Sequence, residues 1–265
     1  MMQIAVPGPT KGPEQRWSPF VTRAVLFWVV GYSALCIPFL GAQAQEASQA
    51  PCGLFAGDFA ATPSIPDTSI AFERHEMQMR MLPGEADVII IGDSLVQAWP
   101  AELLREAFGD QRILNLGVGR DRLPNVLFRL RDKRLASARL QPDLVALMAG
   151  TNSITIPDAE CVLPIGASAI VDQLRSLWPL STIIVIGVLP RGAMLRYYQR
   201  QRLALNGAFL HLAQTKQSVK YIDLEKVVDC DLVFPCANYQ PDMLHLTRAG
   251  YERISAALKA SLARP

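Results

Sequence analysis

Asp87-Val-Ile-Ile-Ile-Gly-Asp-Ser94 is the stretch that decides the fold. Its apolar residues are consecutive and β-branched, the run is too short for a helix, and it stops at a glycine. Continuous rather than alternating apolarity marks a strand buried on both faces, the condition of a parallel sheet. Working outward, the same pattern recurs at Arg112–Leu116, Asp143–Ala149, Thr182–Val188 and Val219–Asp223. Helical patterns fill the intervals near 100–108, 123–136, 165–178 and 195–215, and a last helix spans 247–262. Upstream, 68–81 reads as an amphipathic helix with Phe72, Met77 and Met81 as its core contacts. Strands alternating with helices predict an α/β fold: a three-layer, doubly wound sheet of about five parallel strands in the flavodoxin-like order 2-1-3-4-5. In such sheets ligands bind beyond the carboxyl ends of the strands.

The rest of the chain sets the boundaries. Residues 1–23 carry Lys11, Arg16 and Arg23 against Glu14, an apolar run follows from Ala24 to Leu40, and Ala42-Gln-Ala44 supplies a small-x-small cleavage pattern. This order predicts a secretory signal peptide over 1–44, with a retained N-terminal membrane anchor as the alternative. The run falls short of the ~20 residues of a spanning helix. Residues 45–84 then form a lead-in and the N-terminal helix, and 85–265 the α/β domain. A composition 50% hydrophobic and 19% charged over 265 residues can build that core and excludes global disorder. Removing residues 1–44 takes away three basic residues and one acid, leaving 23 of each. A neutral remainder argues against a nucleic-acid partner. Four cysteines persist, an even number suited to disulfides in an oxidising compartment. Cys230 and Cys236 would close a short loop, leaving Cys52 with Cys161. No histidine lies at ligand spacing to favour zinc at either pair.

Three strand ends and one late loop carry reactive residues. Gly92-Asp93-Ser94 puts a serine where a strand meets a helix N-terminus, which is equally the place of a capping residue. Asn115-Leu-Gly117-Val-Gly119-Arg120-Asp121 follows the second strand, with glycines that permit close backbone approach. Gly150-Thr151-Asn152 follows the third and ends in a side-chain amide. Asp242-Met-Leu-His245 precedes the last helix and pairs a base that works near neutral pH with a carboxylate that can fix its tautomer. The basic run Arg129, Arg131, Lys133, Arg134 and Arg139 reads as a solvated helix face, and His211 as a structural mid-helix residue. His75-Glu76 lacks the second histidine of a zinc-protease helix, and neither a Gly-x-Ser-x-Gly elbow nor a Gly-Lys-Ser/Thr loop occurs.

Taken together, Gly92-Asp-Ser-Leu95, Gly150-Thr-Asn152 and Asp242-Met-Leu-His245 resemble the SGNH (GDSL-type) hydrolases over about residues 85–260. Ile91–Gln97, Asn115–Gly119, Asn125–Leu130, Leu189–Gly192 and Leu244–Tyr251 are similar to blocks of the platelet-activating-factor acetylhydrolase catalytic-subunit subgroup. The resemblance implies Ser94 as nucleophile, His245 as general base and Asp242 as its orienter. It implies an oxyanion hole from the Ser94 N–H, a loop N–H at Gly119 or Arg120, and the Asn152 amide. The family's oxyanion glycine falls on Arg120, so a positive φ there would strain the backbone. The Arg120 side chain then either faces solvent or enters the pocket and favours an acidic substrate. The expected activity is hydrolysis of carboxylic esters without cofactor or metal, with short acyl groups on a glycan, a lipid or a small molecule. A lysophospholipase or thioesterase on longer chains, and a non-catalytic glycan-binding protein on the same scaffold, are the alternatives.

Overall fold

The chain is described by a computed structural model over residues 61–156, 159–231 and 233–263. The expected signal segment 1–44 and Cys52 lie outside the described residues. In chain order the elements are α1 (Ser69–Arg80), β1 (Val88–Gly92), α2 (Ser94–Gln97), α3 (Ala101–Phe108), β2 (Ile113–Gly117), α4 (Leu123–Leu130), α5 (Lys133–Ser137) and β3 (Leu144–Met148). They continue with α6 (Ala159–Leu177), β4 (Thr182–Ile186), α7 (Gln199–Thr215), β5 (Val219–Ile222), α8 (Glu225–Val228) and α9 (Arg248–Leu262). All five strands are parallel and lie in the order β2-β1-β3-β4-β5.

Side chains alternate across a strand, so the sheet sorts its apolar residues into two cores. Ile89, Ile91, Val145, Leu147, Ile183 and Val185 face α1, α4, α5, α6 and α7. Val88, Ile90, Ala146, Met148, Ile184 and Ile186 face α2, α3, α8 and α9. β1 lies between β2 and β3 and is buried along its whole length, which is why its sequence shows no alternation. Among the described residues no helix is long and apolar enough to cross a membrane.

Three expectations about helices need correction. The face of α1 that packs inward is Ala71, His75 and Met79, whereas Phe72, Met77 and Met81 are exposed, Met81 at 72%. A polar His75 at the centre of that face hid the true stripe. It is buried because its Nε2 meets Asp132 at 3.0 Å. The pattern over 123–136 is two helices, broken where Asp132 caps α5 by accepting from the Arg134 N–H. The helix expected from 165 begins at Ala159, so Pro164 lies within it. There, about one and a half turns in, proline removes one ladder bond without ending the helix. His211 lies in α7 with its side chain exposed.

Cys230 and Cys236 are disulfide-bonded with Cα atoms 5.4 Å apart, as their spacing suggested.

Candidate active site

β1 ends at Gly92 against β3, and a Cβ at this position would lie 1.9 Å from the Met148 carbonyl oxygen. Only glycine permits that approach, and the chain then turns directly into α2. Asp93 caps α2 by accepting from the Leu95 N–H at 3.0 Å. Burial pushes this carboxyl up to about 7. The cap leaves Ser94 as the first residue of α2, half-buried at the carboxyl edge of the sheet.

The Asp242–His245 segment forms a turn over the same edge. Its backbone is shaped by Met243 in the left-handed region, φ 52°. Asp242 Oδ1 accepts from the N–H groups of Leu244 and His245, at 3.0 and 2.9 Å. Its other oxygen meets His245 Nδ1 at 2.6 Å, and His245 Nε2 meets Ser94 Oγ at 3.0 Å. Burial alone would raise the Asp242 pKa, but the hydrogen bonds from His245 and Leu244 outweigh it and hold the carboxyl below its usual range. An ionised carboxylate only accepts, so Nδ1 carries the proton and Nε2 is left to accept from the serine hydroxyl. Chemically, this arrangement can withdraw a proton from Ser94 and hold it as imidazolium.

The loops after β2 and β3 close the third side. Gly117 lies so near α2 that a Cβ would meet the Gln97 nitrogen at 2.2 Å. The Gly119 N–H donates to Gln97 Oε1 at 2.7 Å, so it is engaged within the protein. The neighbouring Arg120 N–H has no acceptor among the described residues, and neither does that of Ser94. Arg120 adopts φ 68°, the left-handed conformation that a glycine would take freely, and its side chain is exposed. Asn152 Nδ2 donates to the Asp121 carbonyl at 3.0 Å, which fixes the amide and leaves its second N–H to project elsewhere.

A model of the GDSL-like lipase/acylhydrolase family matches residues 90–253, a span that includes every one of these side chains. The chain belongs to that family. It is 31% identical over 176 residues to the platelet-activating factor acetylhydrolase IB subunit alpha2 of Rattus norvegicus, covering 66% of this chain and 75% of that protein. A solved structure from Streptococcus pneumonia, named for platelet activating factor, is 26% identical with TM-score 0.57, covering 73% of this chain and 91% of that one. An acetylxylan esterase from Geobacillus stearothermophilus shares the fold at 16% identity and TM-score 0.55, covering 68% and 95%. This GDSL-type hydrolase is thus an acylhydrolase of the esterase class.

Sequence reasoning missed how the hydrolase supports its loops. Arg129, expected on a solvated face, is 1% exposed and paired with an equally buried Asp121 at 2.6 Å. The other members of that basic run, Arg131, Lys133, Arg134 and Arg139, are exposed. The signal was available: Arg129 sits among Val126, Leu127, Phe128 and Leu130, and a lone arginine inside an apolar run must find acceptors indoors. Arg191 was also missed. It donates to the Thr151 carbonyl at 2.7 Å, beside Asn152. One further cluster lies away from the crevice, where His75, Glu76 and Asp132 bring possible metal-ligating atoms within 4.8 Å of one another. Arg134 already supplies a cation there, donating to both carboxylates.

Proposed function

We propose that the protein is an exported serine esterase that removes short, acetyl-type acyl groups from a carboxylic ester. The contact that carries this reading is the relay of Ser94 Oγ to His245 Nε2 at 3.0 Å and His245 Nδ1 to Asp242 at 2.6 Å. Ser94 Oγ attacks the ester carbonyl while His245 Nε2 takes its proton. Negative charge collects on the former carbonyl oxygen, which the N–H groups of Ser94 and Arg120 and the Asn152 amide stabilise. As the intermediate collapses, the bond to the alkoxy oxygen breaks and His245 returns the proton to the departing alcohol. Water, deprotonated by His245, then attacks the acyl-Ser94 ester; as the bond to Ser94 Oγ breaks, His245 returns that proton to the serine and the acid is released. The proton count closes at each half-reaction, so the scheme uses only protein groups and water.

The acetyl preference is supported by the relative named an acetylhydrolase, 31% identical to this chain. Export is supported by the order of basic segment, apolar run and Ala42-Gln-Ala44, and by the cysteine usage. The decisive experiment measures turnover of p-nitrophenyl acetate, butyrate and octanoate by the purified protein and by Ser94→Ala. The expected outcome is fastest turnover on acetate, lost in the variant. A maximum at octanoate would favour the lysophospholipase or thioesterase alternative, and turnover retained by Ser94→Ala would reject Ser94 as nucleophile. Mass spectrometry of protein recovered from the producing cell tests export, with Gln45 as the expected mature N-terminus.

A further inference from the structure

The candidate oxyanion donors come from separate loops, and one buried side chain reaches the foundations of those loops. Arg129, on α4, divides its guanidinium among three acceptors. Nη2 donates to the Gly92 carbonyl at 3.0 Å, Nη1 to the Leu116 carbonyl at 2.7 Å, and Nε to Asp121 Oδ2 at 2.6 Å. The first two acceptors lie at the ends of β1 and β2, two residues before Ser94 and four before Arg120. Asp121 directly follows Arg120, and its carbonyl accepts from Asn152 Nδ2 at 3.0 Å. Leu123 and Ser153 join the same two loops again, through an N–H to Oγ bond of 2.9 Å. One network thus links the residue before the Asp93–Ser94 turn, the loop that presents the Arg120 N–H, and the Asn152 amide.

Stability alone does not account for this pair. Both side chains are 1% exposed, and buried ion pairs can often be replaced by apolar residues without loss of stability. Asp121 Oδ1, moreover, is buried with no hydrogen-bond partner among the described residues. An optimised structural salt bridge would engage both oxygens. Here the guanidinium spends its remaining donors on strand-end carbonyls instead, a fork geometry that a lysine ammonium cannot reproduce.

We propose that the Arg129–Asp121 pair is a positioning element for the oxyanion hole, fixing the Arg120 N–H and the Asn152 amide relative to Ser94. The proposal rests on the esterase reading above. Its effect falls where charge develops: a shift of about 1 Å in a donor costs on the order of 10²-fold in rate, whereas ground-state binding of the ester changes little.

The test measures kcat and KM on p-nitrophenyl acetate for Arg129→Lys and Asp121→Asn, with unfolding midpoints for each. Arg202→Lys is the control. Arg202 is another 1% exposed arginine, paired with Glu225, and among the described residues makes no bond to the loops that carry the donors. Folded Arg129→Lys and Asp121→Asn should lose about 10- to 100-fold in kcat with KM changed less than about 3-fold, the signature of an interaction made only in the transition state. Arg202→Lys should lose stability but keep kcat. Asp121→Asn is isosteric and keeps an acceptor for Arg129, so it serves if the lysine variant does not fold. A double-mutant cycle with Asn152→Ala adds a readout that general loosening would not move: the Asp121→Asn loss should shrink in that background. The proposal is overturned if folded variants keep wild-type kcat, if the control loses as much kcat as they do, or if the two losses in the cycle simply multiply. Ser94→Ala separates the two levels. If it abolishes turnover while both pair variants remain fully active, only the positioning role fails; if it leaves turnover intact, the esterase reading fails and takes the positioning role with it.

Discussion

Ser94 and His245 meet at 3.0 Å, yet they are held there by opposite means. The serine end is masonry. β1 is buried along its whole length, Gly92 is wedged against the Met148 carbonyl, Asp93 is buried under its own cap, and Arg129 ties the ends of β1 and β2 together. The histidine end is an exposed turn held mostly by its own hydrogen bonds. Side chains of Asp242 and His245 are 48% and 32% exposed. The turn is fastened to its surroundings by the Gly192 N–H on the Met243 carbonyl, the Gln240 N–H on the His245 carbonyl, and the single bridge between Tyr239 and Leu246. Under the proposed mechanism the contrast has a reason: oxyanion donors would act at fixed points on a developing charge, and the loops that carry Arg120 and Asn152 are tied to the strand ends through Arg129 and Asp121. A base would move a proton twice, in opposite directions, and tolerates a lighter mount.

The largest effect is expected at the histidine end. His245→Ala should lower kcat by about 10⁴-fold or more, because nucleophile and base act as a unit. Asp242→Ala should cost less, since solvent reaches both partners and a water can take the carboxylate's place on Nδ1. Equal losses in steady-state kinetics would show that the exposed turn is as exacting as the buried end. At the serine end, Asn152→Ala should lower kcat by about 10²–10³-fold with KM nearly unchanged, the scale of one oxyanion donor. A change confined to KM would remove Asn152 from the hole.

Buried and exposed carboxylates should also answer pH differently. Asp93 is raised to about 7 by burial, so between about pH 4 and pH 7 the native state keeps a proton that the unfolded chain has released. Its contribution to stability is therefore present at the acid end of that window and is lost as pH rises through about 7, by on the order of a few kcal/mol. Urea denaturation across the window should show this fall and its flattening in Asp93→Asn. Asp242 is shifted the other way, downward, so it supports the fold at neutral pH and releases that support only in acid. The smallest effect is expected at Arg120. Replacing it by glycine relieves a left-handed arginine and should stabilise the protein by about 1 kcal/mol in the same assay, with turnover retained because the backbone N–H is still there. A large loss of turnover would assign the exposed guanidinium a part in substrate binding.

Much of the fold was legible because buried strands carry their own signature. Continuous apolar runs separated by helical spacing determined the strand count, the parallel sheet and its order, and the glycines at the strand ends marked where reactive residues emerge. The candidate residues stood out only jointly, through the family resemblance their motifs carry, since a serine after a buried strand or an Asp-x-x-His pair taken singly reads equally as a cap or a turn. What the sequence could not decide was the partner of each buried polar group. His75 found no place among the expected core contacts until Asp132, from the break between α4 and α5, met it. Arg129 looked solvated until three acceptors from two strand ends and a loop converged on it. Likewise, neither Gly119 nor Arg120 could be singled out until Gln97 folded across to take the Gly119 N–H. Apolar periodicity is a property of neighbours along the chain and can be read there. The satisfaction of a buried charge or N–H depends on groups tens of residues away, and only the tertiary structure brings them within hydrogen-bonding distance.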